Sequence, residues 1–265
     1  MKPFLLSATA LVALSATAFA ADLPARSQVP TLAPSSALNW AGLSVGGQLG
    51  YAAASSTLFV DEADPTYFPD FQGGETRKQR ASSAFAAVEA AYNFQQGNFV
   101  YGGFASISGL NAHDKSWSTG ACCGNDDQLT TRVKGIGIVG GRFGYAIDRA
   151  LLHVSAGYAI GNVSFDITDN NIREDGGSNS NSTGHKRTSK WLSGFALGAG
   201  MDYQITNNWS AGLQYTYINF GSPKWDMTTS SYAFNGDYRG EAAYVVTTRK
   251  LDVHMAGVTL KYMFK

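Results

Sequence analysis

The chain has 265 residues, 20 acidic and 20 basic side chains, and only 15% charged residues. This balance provides no bulk attraction to nucleic acid, so a nucleic-acid partner is not expected. Its 30 glycines and 12% aromatic residues are typical of β-structure with many turns. The two cysteines, Cys122 and Cys123, are adjacent, which excludes an ordinary disulfide framework. A vicinal disulfide, a thiol metal site and two inert loop thiols remain open, and the last is favoured.

The N-terminus has the pattern of a secretory signal peptide. Lys2 supplies a positive start, residues 4–19 are almost wholly apolar or small, and residues 18–20 fit the A-x-A rule. The apolar run is too short and too weakly apolar at its end for a membrane helix. Cleavage is therefore predicted between Ala20 and Ala21.

Three regions follow from this prediction. Residues 1–20 form the signal peptide. Residues 21–38 contain three prolines and few large apolar side chains, so we expect a periplasmic linker there. Residues 39–265 form the remaining domain, and no apolar run in it is long enough for a membrane helix.

From Asn39 onward, apolar side chains recur with a period of two, which predicts β-strands with one apolar face. The other phase carries mostly Gly, Ser, Ala and isolated charges. In the fourth strand, Val133 falls in the apolar phase and Lys134 in the opposite phase, while Phe104 of the third strand falls in the small-residue phase. The expected strands cover about 41–51, 82–94, 99–110, 131–147, 152–161, 191–204, 209–217 and 256–265.

Alternation also occurs in soluble β-sandwiches, but two further features favour a membrane barrel. The small-residue phase would make a poor dry core, whereas it suits the cramped interior of a narrow barrel. The connections also alternate in length. Tight turns are expected at 95–98, 148–149 and 207–208, and long polar loops at 55–80, 111–130, 168–189 and 221–247. We therefore predict an all-β, eight-stranded antiparallel up-and-down transmembrane β-barrel with long extracellular loops and short periplasmic turns.

Aromatic residues gather near the strand ends that the short turns join. Around a barrel they would form a girdle at the periplasmic interface of the membrane, and their bunching favours this over ordinary core packing. The predicted girdle consists of Trp40, Tyr92, Phe94, Phe99, Tyr101, Phe143, Tyr145, Trp209, Tyr262 and Phe264.

Five polar residues share the inward phase and lie a few residues from the short-turn ends, so one layer of the lumen should contain them all. Unpaired charges are costly in a narrow, low-dielectric interior, and these side chains should therefore be salt-bridged or hydrogen-bonded. The layer would either stabilise and plug the barrel or gate ions, and eight strands favour the plug. Its members are Glu89, Arg142, Asp202, Gln214 and Lys261.

A hydrolase hypothesis rests on His153 and Ser155, which face the same side of one strand. The pair points into the lumen, and the sequence identifies no neighbouring carboxylate that would orient the histidine. No catalytic residue and no enzymatic activity are therefore predicted. No metal-ligand spacing or phosphate-binding glycine motif occurs, so neither a metal nor a cofactor is expected. Loop residues such as His113 and Trp225 could contact haem, but no spacing singles out a haem site.

The sequence resembles the small alphaproteobacterial outer-membrane barrels described as porin-family surface antigens, some of which are hemin-binding proteins. The likeness covers nearly the whole chain apart from the long loops. It is carried by Ala21 to Pro24, Asn39 to Gly42, Gly141 to Ala146, Trp209 to Ala211, Tyr217 to Gly221 and Val258 to Phe264.

This resemblance implies an outer-membrane location and a surface or envelope role, without defining a ligand. The expected partners are outer-membrane lipids, lipopolysaccharide and, during insertion, the barrel-assembly machinery. Such chains usually end on an aromatic residue, whereas here Lys265 follows Phe264, so insertion is expected with some loss of efficiency. The expected function is non-enzymatic: envelope integrity and surface presentation. A narrow porin-like channel and a loop-mediated receptor for haem or another small ligand remain alternatives.

Overall fold

A computed structural model describes residues 39–63, 74, 76–117, 128–171, 182–227, 229–232, 238–242 and 244–264. The predicted signal peptide, its cleavage site and the linker lie outside these residues, as do both cysteines and Lys265. No helix in the described part of the chain is long and apolar enough to cross a membrane.

The described residues form eleven strands, each of which places successive side chains on opposite faces. In chain order they are β1 (Gly42–Ala63), β2 (Thr76–Gln96), β3 (Phe99–Trp117), β4 (Gln128–Ile147), β5 (Ala150–Asn171), β6 (Ser182–Gln204), β7 (Trp209–Asn219), β8 (Lys224–Asp226), β9 (Thr229–Tyr232), β10 (Tyr238–Ala242) and β11 (Tyr244–Phe264).

Eight of these strands close into a ring. β1 to β7 pair with one another in chain order, β11 pairs with β7, and β11 also pairs with β1. All these pairings are antiparallel. The short β8 pairs with β11, and β9 pairs with β10 in a separate two-stranded sheet. The ring confirms the predicted eight-stranded antiparallel fold.

The strands are much longer than the sequence pattern indicated. β1 has 22 residues, and it continues to Ala63 through much of the segment expected as the first long loop. β6 has 23 residues and begins at Ser182, within another expected loop. The predicted loop bounds are therefore wrong on these strands. A polar composition misled the prediction, because these stretches are strands whose outward face is polar while Leu58 and Val60 point into a core.

The lower part of the ring has large apolar side chains on its outer surface, which define the lipid-facing band. Towards the extracellular side, the band ends at one side chain on each strand. These end residues are Tyr51, Val88, Ile107, Val139, Ile160, Trp191, Tyr215 and Val258.

Above this band, the ring opens into two facing sheets. The β2–β3 ladder ends at the pair Phe85 and Leu110, although both strands continue upward. The β6–β7 ladder likewise ends at Phe195 and Asn219. One sheet therefore contains β8, β11, β1 and β2, and the other contains β3 to β6. Buried side chains from both sheets form one apolar core, which includes Leu58, Val60, Leu129, Val133, Phe165, Ile167, Trp225, Leu251 and Val253.

An irregularity in β4 places Val133 and Lys134 on the faces opposite to those predicted. The β4–β5 register shifts between Val133 and Gly135, so the strand inverts its faces there. Val133 is 1% exposed and belongs to the core, whereas Lys134 is exposed. The prediction had them reversed, because strict alternation takes no account of a bulge. Phe104 faces inward, as predicted, and is buried.

Candidate functional site

Four of the five predicted lumenal residues meet inside the ring. Glu89 lies on β2, Arg142 on β4, Asp202 on β6 and Lys261 on β11. Arg142 Nη2 donates a hydrogen bond to Glu89 Oε1. Lys261 Nζ lies 2.9 Å from Asp202 Oδ2 and 3.6 Å from Glu89 Oε1. These contacts join the four side chains, hereafter the ionic layer, into one chain with two positive and two negative charges.

The ionic layer is removed from solvent. The side chains of Arg142, Asp202 and Lys261 are 2%, 4% and 6% exposed, and that of Glu89 is 11% exposed. The Arg142 guanidinium carbon lies 5.1 Å from the centre of the Phe104 ring, a cation–π contact. Because charges in a low-dielectric interior interact strongly, each member depends on its partners.

Histidine 153 is a member of this site that the sequence did not reveal. His153 Nε2 lies 3.3 Å from Asp202 Oδ2, so a carboxylate does adjoin the histidine, contrary to expectation. The approach depends on the cross-strand partner of His153, which is Gly200. A Cβ at Gly200 would lie 2.8 Å from the imidazole, so only glycine leaves room for the ring to reach Asp202. Thr259 Oγ1 also donates to Asp202 Oδ1 at 3.2 Å.

Gln214, the fifth predicted residue, does not join the ionic contacts. It lines a small enclosed cavity of about 20 Å³ with polar residues that include Gln48, Ser106 and Ser155. Its Oε1 is buried and has no hydrogen-bond partner among the described residues. A cavity of this size and polarity has room for about one water molecule. Gln214 therefore belongs to a wetter pocket beside the ionic layer.

The periplasmic end of the lumen is closed by an apolar cluster. Trp40, which was predicted to belong to the outer aromatic girdle, is instead 2% exposed and lies in this cluster. Trp40 precedes β1 and so has no strand phase, and its backbone N–H donates to Gln95 Oε1 at 2.6 Å. Gly42, with φ of +112°, redirects the chain between this residue and the strand. The cluster comprises Trp40, Val100, Ala146, Leu151 and Met263.

The other nine predicted girdle residues have their side chains on the outer surface. Tyr262 is half-buried and the rest are exposed. Neighbouring rings contact one another, for example Phe99 with Phe143 and Trp209 with Tyr262. A second set of exposed aromatic residues lies at the opposite edge of the apolar band, which the prediction missed: Tyr51, Tyr158, Trp191, Phe195 and Tyr215. Aromatic belts at both interfaces are typical of outer-membrane barrels.

Two further expectations concern ligands. Trp225 is fully buried, stacks on Phe165 with ring centres 5.7 Å apart, and cannot contact haem. His113 is exposed, and its Nδ1 lies 3.1 Å from the carbonyl oxygen of Asn111. Among the described residues, no group of three or more His, Cys, Asp or Glu side chains could hold a metal ion.

A closed eight-stranded ring with an apolar outer band and aromatic belts defines a transmembrane β-barrel. Residues 6–264 match the family model of the outer membrane protein beta-barrel domain. The chain belongs to this family and is a protein of the Gram-negative outer membrane.

The relatives are alphaproteobacterial, in agreement with the resemblance seen in the sequence. The 31 kDa outer-membrane immunogenic protein of Brucella melitensis is 29% identical over 223 residues, which cover 83% of this chain and 88% of the relative. The 25 kDa outer-membrane immunogenic protein of Brucella abortus is 28% identical over 233 residues, covering 86% and 88%. Among solved structures, the outer membrane protein OprG from Pseudomonas aeruginosa matches with a TM-score of 0.48 and 14% identity, covering 84% and 97%.

Proposed function

We propose that the protein is a closed, non-enzymatic barrel that contributes to the integrity of the outer membrane and presents its extracellular sheets at the cell surface. The observation that carries this proposal is the filling of the lumen at successive levels. The Trp40 cluster closes the periplasmic end, the ionic layer lies above it, and the apolar core of the two sheets fills the extracellular half. The cavity between these levels has room for about one water molecule.

A closed lumen disfavours the alternative of a narrow channel, and conductance tests this directly. The refolded wild-type protein in a planar bilayer is expected to show no steady current. Arg142→Ala removes a lumenal charge, and Lys224→Ala, outside the lumen, is the matched control. A steady wild-type current that changes in Arg142→Ala and persists in Lys224→Ala would show that ions pass the ionic layer, and would overturn the proposal.

The non-enzymatic part of the proposal rests on the surroundings of His153. The His–Asp pair is buried beside Lys261, and neither imidazole nitrogen of His153 has a hydrogen-bond partner in the described part of the chain, so Ser155 is not activated. We expect His153→Ala to leave the acylation of lipid A unchanged in cells. A changed acylation pattern, restored by the wild-type gene, would instead assign a lipid-modifying activity.

The envelope role is tested in a deletion strain. Loss of the protein is expected to increase sensitivity to bile salts and EDTA, and the wild-type gene should restore resistance. His153→Ala should restore it equally well, because the proposed role is structural. A deletion strain as resistant as its parent would contradict the proposal.

A further inference from the structure

The outer surface carries a cluster of cationic side chains above one sector of the apolar band. On β2, the outward phase runs without interruption to Lys78 and Arg80, both exposed. On β3 it reaches His113 and Lys115, also exposed. On β4, Lys134 is exposed and Arg132 is half-buried. We call these six residues on three neighbouring strands, five lysines and arginines with one histidine, the cationic face.

The register brings the six residues together. His113 pairs with Arg132 across β3 and β4. The seam between β2 and β3 is bridged by Asp114, whose Oδ2 accepts a hydrogen bond of 2.7 Å from the backbone N–H of Arg80. Lys134 owes its outward position to the irregularity in β4, which therefore adds a charge to the cluster.

The lysines of this face have no acidic partner among the described residues. In the described part of the chain, no carboxylate pairs with Lys78, Lys115 or Lys134, and Arg132 Nε is buried without a hydrogen-bond partner. Asp114 occupies the inward phase of β3, and Asp166 on the neighbouring β5 is already paired with Arg187.

On β6 and β11, two exposed cations are instead paired with acidic neighbours. Arg187 is paired with Asp166, and Lys250 Nζ lies 2.6 Å from Asp252 Oδ2. Like charges gathered without partners repel one another, so the cationic face is stabilised when an external anion binds.

The surface directly below the cationic face differs from the rest of the band. On β2 to β4, the last large apolar side chains are the aliphatic Val88, Ile107 and Val139, whereas on β1, β6 and β7 they are aromatic. Above these three, the outward positions are small, which leaves a smooth surface for an acyl chain: Ala84, Ala86, Gly109, Gly135 and Gly137. Gly137 pairs with Ile160 at the upper edge of the band, and Lys134 lies three residues higher.

We infer that the cationic face binds the phosphate groups of a phosphorylated glycolipid of the outer leaflet, whose acyl chains lie against the small-residue surface below it. Charge complementarity and continuity with the lipid-facing band both favour a membrane lipid over a soluble anion. The basic side chains lie on the extracellular side of the apolar band and of the small-residue surface, and lysine and arginine in such positions interact with anionic headgroups. This inference does not depend on a closed lumen. A conducting barrel would therefore overturn the proposed function but would not affect the lipid-binding inference.

The test compares two triple variants that remove equal charge. Lys78→Gln, Lys115→Gln and Lys134→Gln change the cationic face, while Lys190→Gln, Lys224→Gln and Arg149→Gln change exposed cations outside it. Each refolded protein in neutral detergent micelles is titrated with purified bisphosphorylated lipid A, and bound lipid is counted by native mass spectrometry. Heat-modifiable migration on gels verifies that each variant is folded.

The first triple variant is expected to bind lipid A about tenfold to hundredfold more weakly than the wild type. The control triple variant should change the affinity by less than about threefold, because its cations lie away from the site. Dephosphorylated lipid A should bind the wild type more weakly than the phosphorylated form. Equal affinity of the first triple variant and the wild type would overturn the inference, as would equal binding of dephosphorylated lipid A. Displacement of lipid A by millimolar inorganic phosphate would assign a soluble-anion site instead and would also overturn it.

Discussion

At the scale of single residues, the ionic layer shows how a narrow barrel tolerates charge. Arg142 and Lys261 both approach Glu89, and Lys261 also reaches Asp202, so each buried carboxylate has a cationic partner. The sequence could indicate this set because the inward phase on regular strands follows from alternation alone. It could not indicate the approach of His153 to Asp202, which depends on the cross-strand position of Gly200.

Removing both partners of one ion pair in the ionic layer should cost less than the sum of removing each partner alone. Arg142→Ala leaves Glu89 in the lumen with Lys261 3.6 Å away, and we expect a loss of about 3–5 kcal/mol in the free energy of unfolding. The double variant Glu89→Gln and Arg142→Met removes both charges and should lose less than the sum of its single variants. Urea unfolding in lipid vesicles, followed by tryptophan fluorescence, measures both values. Additive losses would contradict a coupled pair.

At the scale of elements, tight turns and strand irregularities decide where side chains point. Regular alternation predicted the outward and inward phases of most strands correctly. It was wrong for Val133 and Lys134, because one bulge inverts the faces of β4 beyond that point. The girdle prediction was wrong for Trp40, because that prediction followed the bunching of aromatic residues near the strand ends, and Trp40 precedes its strand.

The turn between β4 and β5 offers a test at this scale. Asp148 has φ of 50°, a left-handed conformation that is unfavourable for β-branched residues. We expect Asp148→Gly to retain or slightly raise stability, whereas Asp148→Val should lower the free energy of unfolding by about 1–2 kcal/mol. The same urea titration measures this difference, and equal stability of the two variants would indicate that the turn changes conformation.

At the scale of the whole molecule, one set of strands builds two kinds of interior. In the membrane-spanning half, the lumen is polar and the outer surface is apolar. In the extracellular half, the inside is an apolar core between two sheets and the outside is largely polar. The sequence predicted a lumen without an apolar core, and this holds in the membrane-spanning half. It does not hold in the extracellular half, because the apolar residues of that core lie in segments whose composition resembles that of loops.

The two halves should therefore respond separately to a core mutation. Trp225→Ala removes a fully buried ring that stacks on Phe165, and such truncations cost about 3–5 kcal/mol in well-packed cores. We expect trypsin to cleave the extracellular sheets of this variant faster, at sites such as Lys224 and Arg249. Trp191→Ala, which removes an exposed ring, is the control. Heat-modifiable migration should persist in both variants, and its loss in Trp225→Ala would mean that the two halves unfold together.

The sequence by itself determined that the chain is an antiparallel barrel, which side of most strands meets lipid, and which four charges share the lumen. It could do so because alternation and turn length are local properties of a strand and its ends. Only the tertiary structure decided that the strands continue past the membrane, that Trp40 plugs the lumen, that His153 reaches Asp202, and that Lys134 joins the cationic face. These features depend on register, on bulges and on the packing of distant strands, none of which a period of two encodes.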